Sequence, residues 1–174
     1  GRGRIVARSM IEAGARITYL CDLLEERLDA VAGELDGVQG SKPKTSKVIA
    51  EMLASKDVDG VIVATPDHWH GPASILACQA GKDVYVEKPT AHSIWESRKM
   101  VEAARKYERI VQVGAQNRSS NYCQQAFDYI RSGEFGDVHF LRVLNSKQRP
   151  TIGAKEDAPV PEGVDYDMWL GPAP

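Results

Sequence analysis

Short apolar segments alternate with amphipathic segments along the first 115 residues. Four β-branched runs, each bounded by Gly, Asp or Pro, predict strands at residues 16–21, 59–64, 83–86 and 110–115. Amphipathic stretches between and after them predict helices at residues 23–35, 48–54, 72–81 and 93–107. The strands are nearly continuous apolar runs, which favours a parallel sheet covered on both faces. The predicted fold class is therefore α/β, with a doubly wound parallel sheet.

The helix predicted at 93–107 begins with a recognisable start signal. Ser93 is followed three residues later by Glu96. A hydroxyl and a carboxylate at this spacing can form a capping box around the amides of the first helical turn. We therefore expect this helix to begin just after Ser93.

The pattern changes after Gln116. A helix is predicted at about 120–132, an alternating strand-like segment follows at 137–146, and residues 149–162 are rich in Pro and Gly. We place a domain boundary here, giving a first domain at residues 1–117 and a second at 118–174. The second segment has too few predicted strands for a complete layer, so we expect it to be the start of a larger domain.

Glycines and an acidic residue near the start are typical of a dinucleotide-binding fold. Gly1 and Gly3 lead directly into an amphipathic helix that starts near Ile5, and Asp22 ends the next strand. A glycine-rich turn normally follows a strand, and an acid about 20 residues later binds the adenosine ribose. We therefore expect that the first strand and the leading glycines precede residue 1, and that this strand belongs between residues 16–21 and 59–64.

Composition narrows the function class. The chain has 174 residues, 43% hydrophobic and 26% charged, with a net charge of -2. This charge gives no general attraction to nucleic acid or to acidic membranes, and no run approaches the roughly 18 apolar residues of a membrane span. Three widely separated cysteines (Cys21, Cys78 and Cys123) indicate neither a disulfide framework nor a zinc site.

Three motifs closely resemble one family of oxidoreductases. They are ATPDHWHGPASILACQAGKDVYVEKPTAHS at 64–93, VQVGAQNRSS at 111–120 and DYDMWLGPAP at 165–174. They are similar to the glucose-fructose oxidoreductase, inositol dehydrogenase and rhizopine-catabolism (Gfo/Idh/MocA) family. The resemblance implies an N-terminal Rossmann domain, a C-terminal α/β domain with an open-faced sheet, and NAD- or NADP-dependent oxidation or reduction of sugars and inositols.

The resemblance also implies roles for individual residues. The Glu-Lys-Pro motif is the most specific mark of the family, and it makes Lys88 the catalytic residue. The implied cofactor-binding residues are Gly1, Gly3, Asp22, Thr65, Pro66, His70, Glu87, Lys88 and Gln116. Lys88 and Arg118 are implied on the substrate side.

Lys88 has the chemistry that alcohol oxidation requires. An ammonium can hydrogen-bond the substrate hydroxyl, favour the developing alkoxide while hydride leaves the carbon, and return a proton in the reverse direction. Glu87 would hold this ammonium in place or tune it. Pro89 has no backbone N–H, so the hydrogen-bond ladder of the preceding strand cannot simply continue through it.

A metal site is the main alternative for the PDHWH segment. Asp67, His68 and His70 could supply oxygen and nitrogen ligands to zinc. No third histidine lies close in the sequence, and His70 after a strand-end proline favours a contact with cofactor or a helix cap. We therefore predict no metal, and we expect Trp69 to lie in the core or on the cofactor side.

Asp22 favours NAD over NADP. A carboxylate accepts hydrogen bonds from the ribose hydroxyls and repels a 2′-phosphate, and Leu23 rather than arginine follows it. Arg27, one helical turn away, keeps NADP as the alternative.

We therefore predict an NAD-dependent oxidoreductase acting on a sugar, inositol or related polyol. The alternatives are a redox-neutral, NAD-dependent glycosidase of the same superfamily and a non-catalytic dinucleotide-binding protein. The predicted whole protein is a cytoplasmic homo-oligomer, with export possible through an upstream signal. We expect the isolated chain to bind NAD poorly and to be inactive.

Overall fold

The computed structural model describes residues 1–144 and 150–173. The helices and strands follow one another as α1 Arg2–Glu12, β1 Tyr19–Cys21, α2 Glu25–Gln39, β2 Lys44–Ser46, α3 Ile49–Ala54, β3 Gly60–Val63, α4 His70–Gln79, β4 Asp83–Glu87, α5 Ile94–Lys106, β5 Val111–Gly114, α6 Asn121–Arg131 and α7 Tyr166–Leu170. Short 3₁₀ turns occupy Asp67–Trp69 and Gln116–Ser119. Within the described ranges, no helix is long and apolar enough to cross a bilayer.

The strands form parallel sheets, as the sequence predicts. β1 pairs with β2, and β3, β4 and β5 form a second sheet in that order. Each pair is parallel because a helix connects one strand to the next. The α/β fold class is therefore confirmed.

β1 and β3 belong to different sheets. The loop before β3 connects the two sheets: the Thr18 hydroxyl donates to Asp57 O at 2.8 Å, and Lys44 Nζ donates to Asp57 Oδ2 at 2.9 Å.

The core lies between the β3–β5 sheet and helices α4 and α5. Val63 on β3 and Val86 on β4 are 2% and 0% exposed. They join one apolar cluster that also includes Ala77 of α4 and Met100 of α5. Small side chains on α4 allow α5 to pack closely against it. This packing fixes the ends of the strands, where the candidate site lies.

The capping box at the start of α5 is confirmed. The backbone N–H of Glu96 donates to the Ser93 hydroxyl at 3.2 Å, and the backbone N–H of Ser93 donates to Glu96 Oε2 at 3.3 Å. These bonds satisfy amide groups that a helix start otherwise leaves without partners.

Two local predictions are wrong. The first helix begins at Arg2 rather than near Ile5, so Gly3 lies in its first turn instead of in a preceding glycine-rich turn. Residues 137–144 form no strand; residues 145 and 146 of that predicted strand lie outside the described residues. A strand needs a partner for its backbone hydrogen bonds. No described strand pairs with residues 137–144, and Leu141 in this segment is 80% exposed.

The chain forms two compact units. One comprises Gly1–Gly114 with Pro161–Pro174, and the other comprises Ala115–Val160. The division into domains 1–117 and 118–174 stays a prediction.

Candidate cofactor and catalytic site

Strands β3, β4 and β5 end at one edge of their sheet. Their parallel register pairs Val63 with Val86 and Glu87 with Gly114. Loops that leave a parallel sheet at the carboxyl ends of its strands are the usual ligand-binding positions of such folds. Thr65 and Lys88 both lie in loops of this kind.

The β4 end combines a buried carboxylate with an exposed ammonium. Glu87 is 4% exposed, whereas Lys88 is exposed, and the peptide bond between Lys88 and Pro89 is cis. Glu87 Oε1 accepts a hydrogen bond from Arg2 Nε at 2.9 Å, and Glu87 Oε2 accepts one from the backbone N–H of Lys88 at 3.3 Å. The carboxylate therefore contacts the backbone at Lys88.

His70 bridges the loops that follow β3 and β4. Its ring is 2% exposed; Nε2 lies 3.0 Å from Thr65 O, and Nδ1 lies 2.5 Å from Pro89 O. Both ring nitrogens thus face backbone oxygens of the protein. The side chain holds the Thr65 loop against the Lys88–Pro89 loop, a role that the sequence analysis did not assign to it.

The start of α1 packs closely against the loop after β3. A Cβ atom added to Gly3 would lie 3.3 Å from Ala64 Cβ, which is tighter than an ordinary contact. In dinucleotide-binding folds, the last glycine of the motif permits this close approach of helix and strand. Gly1 is the N-cap residue of α1, and no heavy atom lies within 4 Å of a Cβ built on it. This geometry fits a dinucleotide-binding helix.

Asp22 lies directly after β1 and is partly exposed. Its Oδ1 accepts a hydrogen bond from the Leu24 amide at 3.0 Å, which shapes the turn into α2. Burial, together with the nearby carboxylates of Asp22 and Glu51, raises the pKa of the Cys21 thiol to about 11. Cys21 therefore remains a neutral thiol beside this carboxylate at neutral pH.

The other residues of the PDHWH segment hold the returning C-terminal segment. His68 Nε2 lies 2.8 Å from Trp169 O, and Trp69 Nε1 donates to Met168 O at 3.0 Å. The His68 and Trp169 rings meet edge to face at 5.6 Å. A Cβ atom on Gly171 would lie 2.2 Å from Trp69 Cζ2.

The two histidines of the segment both contact the backbone. The ring nitrogens of His68 and His70 that form hydrogen bonds face backbone oxygens, and the described part of the chain contains no cluster of three or more metal-binding side chains. The sequence analysis missed the docking of α7, because about 100 residues separate the partners.

Gln116 and Arg118 lie in the 3₁₀ turn at the start of the second compact unit, and both are exposed. The other predicted site residues all belong to the first unit. The first unit therefore brings together the start of α1, the Thr65–His70 loop and the Glu87–Pro89 segment.

Comparisons with known proteins show the family of this chain. The family described as "Oxidoreductase family, NAD-binding Rossmann fold" (GFO_IDH_MocA) matches residues 2–115. A "scyllo-inositol 2-dehydrogenase (NAD(+))" of Bacillus subtilis is 35% identical over 135 residues, covering 78% of this chain and 38% of the relative. An "Uncharacterized oxidoreductase" of Streptococcus pneumoniae is 34% identical over 146 residues, covering 82% of this chain and 38% of the relative.

A solved structure shows the same fold. The WlbA dehydrogenase of Bordetella pertussis, in complex with NADH and UDP-GlcNAcA, is 30% identical with a TM-score of 0.62. The match covers 70% of this chain and 36% of that one. The chain thus spans well under half the length of these proteins. The resemblance expected from the sequence is confirmed: the chain belongs to the GFO_IDH_MocA oxidoreductase family, with an NAD-binding Rossmann fold.

Proposed function

We propose that the whole protein is an NAD-dependent dehydrogenase acting on a carbinol carbon of a sugar, inositol or related polyol. The observation that carries this proposal is the position of Lys88. It is an exposed ammonium that directly follows the buried Glu87, at the sheet edge where loops of the NAD-binding fold meet. The relative named as a scyllo-inositol dehydrogenase supports the substrate class.

Lys88 would act on the substrate hydroxyl. Its Nζ hydrogen-bonds the oxygen of the carbinol and stabilises negative charge on that oxygen as the C–H bond breaks. In the reverse direction the same group returns a proton to the alcohol oxygen. Arg118 would lie on the substrate side.

Residues of the first unit would hold the dinucleotide. Gly1 and Gly3 at the start of α1 suit its diphosphate, and Asp22 would accept hydrogen bonds from the adenosine ribose. Thr65, Pro66, His70, Glu87 and Gln116 would line the nicotinamide half. The bound nicotinamide supplies the hydride acceptor or donor.

Asp22 favours NAD as the cofactor, because its carboxylate would repel the 2′-phosphate of NADP. Arg27, an exposed residue of α2, supports the NADP alternative. We further propose that the whole protein is a cytoplasmic homo-oligomer that associates through the sheet of its second domain.

The test is a screen of the whole protein against sugars, inositols and other polyols with NAD or NADP. We expect net NADH formation with at least one substrate, and transfer of deuterium from a labelled carbinol carbon to the nicotinamide. Glycoside cleavage without net NADH would favour the redox-neutral glycosidase instead. NAD binding without turnover of any substrate would favour the non-catalytic protein.

A further inference from the structure

The start of α1 and the end of β4 are joined by an asymmetric ion pair. Arg2 Nε lies 2.9 Å from Glu87 Oε1; the Arg2 side chain is 45% exposed, whereas the Glu87 side chain is 5% exposed. A carboxylate that is removed from water requires charged or hydrogen-bonding partners. Arg2 is a cationic partner of this buried group.

The same carboxylate contacts the backbone of the proposed catalytic residue. Glu87 Oε2 accepts from the Lys88 amide at 3.3 Å, while Oε1 accepts from Arg2. The two oxygens thus connect the first turn of α1 to the Lys88 backbone. A change in the position of the carboxylate would move the point from which the Lys88 side chain extends.

The other arginines of α1 have a different role. Arg4 Nη1 and Arg8 Nε pair with Glu34 of α2, at 3.3 Å and 2.8 Å. These pairs join α1 to α2, and the Glu34 side chain is more exposed than that of Glu87. Among the described ion pairs, it is the one made by Arg2 that connects α1 to the Glu87–Lys88 segment.

We propose that Arg2 is a positioning residue: it fixes the Glu87 carboxylate, which in turn fixes the Lys88 backbone for proton handling. This inference rests on the proposed dehydrogenase function. It also couples the first turn of the dinucleotide-binding helix to the lysine at the neighbouring strand end. Arg2 itself does not need to touch the substrate.

The test uses Arg2→Gln in the whole protein, with Arg4→Gln as the matched control. Two readouts are needed: steady-state kinetics, and hydrogen–deuterium exchange of the segment at residues 84–93. In Arg2→Gln we expect kcat to fall about 10- to 100-fold, as a misplaced catalytic group does. The KM for NAD should stay close to that of the wild type, and exchange at 84–93 should accelerate.

Three further variants extend the test. Arg2→Lys retains the charge and should recover part of the lost kcat. The single variant Glu87→Gln and the double variant Arg2→Gln/Glu87→Gln complete a cycle. In the double variant, kcat should fall no further than in the worse of the two Gln single variants, because both changes interrupt one connection. Losses that multiply in the double variant would overturn the proposal.

Other outcomes are also decisive. A raised KM for NAD with unchanged kcat and unchanged exchange would show that Arg2 acts on the cofactor, and the proposal would be wrong. If the whole protein oxidises no substrate, the proposed function fails while the exchange measurement still decides the positioning role. Faster exchange in Arg2→Gln, but not in Arg4→Gln, supports that role, and equal exchange in both overturns it.

Discussion

Replacing Gly171 by alanine should release the C-terminal segment from the Asp67–Trp69 turn. Gly171 has φ 48° and ψ −119°, and an added Cβ would lie 2.2 Å from Trp69 Cζ2 and 2.4 Å from Cε2. The contact is with a ring atom of a bulky side chain, so the indole must move away. That movement breaks the bond from Trp69 Nε1 to Met168 O and disturbs the neighbouring contact of His68 with Trp169 O.

The expected cost can be estimated from these contacts. A backbone conformation that alanine rarely adopts costs about 1–3 kcal/mol. Each net hydrogen bond lost costs about 1 kcal/mol. With both hydrogen bonds lost, these costs amount to roughly 3–5 kcal/mol against docking. A five-residue helix such as α7 is not stable in water by itself, so undocking should also unfold it.

Hydrogen–deuterium exchange of α7 in the whole protein measures this effect. The amides of Trp169 and Gly171, which donate to Asp165 O and Asp167 O, should lose their protection in Gly171→Ala. Gly163→Ala is the matched control: Gly163 also has a positive φ, of 78°, but nothing lies within 4 Å of its added Cβ. Exchange at α7 equal to that of the wild type in Gly171→Ala would refute the docking role.

Three further predictions concern cofactor choice, the thiol and the core. Asp22→Asn should weaken NAD binding about tenfold, because a charged hydrogen bond to the ribose is lost. It should also reduce the difference between the affinities for NAD and for NADP. Titrations of the whole protein with each cofactor measure both effects. The Cys21 pKa of about 11 lies above the ordinary thiol value of 9.0, so the folded state holds this proton more tightly than the unfolded state does. The protonated thiol therefore contributes to the free energy of unfolding in full below pH 9, and this contribution is lost as the pH rises towards 11. Between these pH values, the free energy of unfolding measured from unfolding curves should fall less in Cys21→Ala than in the wild type. Val86→Ala should lower the free energy of unfolding by about 2 kcal/mol, since Val86 is fully buried, whereas Val38→Ala on the exposed face of α2 should change it by less than about 0.5 kcal/mol.

The sequence predicts the parts of the fold that local patterns determine. The apolar runs at 59–64 and 83–86 become β3 and β4, and the Ser93–Glu96 pair forms the predicted cap. β2 was missed because Lys44–Ser46 has no apolar run; it forms by pairing with β1. The predicted strand at 137–146 fails over its described residues because alternation alone cannot supply a partner strand.

The sequence predicts only part of the candidate site. Motif spacing places Lys88 and Thr65 at neighbouring strand ends, and the paired register of β3 and β4 agrees with that expectation. Local patterns do not reveal that His70 bridges the two loops or that Arg2 pairs with Glu87, because these contacts depend on how distant elements pack. The pair formed by Arg2 and Glu87 joins residues 85 positions apart.

The most direct test of the account is Lys88→Ala in the whole protein, measured as turnover and as NAD affinity separately. The account predicts a fall in kcat of about 100- to 10,000-fold, as loss of a proton-transferring group causes, with NAD affinity nearly unchanged. Lys99→Ala is the control, because Lys99 pairs with Glu102 on the exposed surface of α5 and should leave both values as in the wild type. Wild-type turnover in Lys88→Ala would contradict the central role of this ammonium.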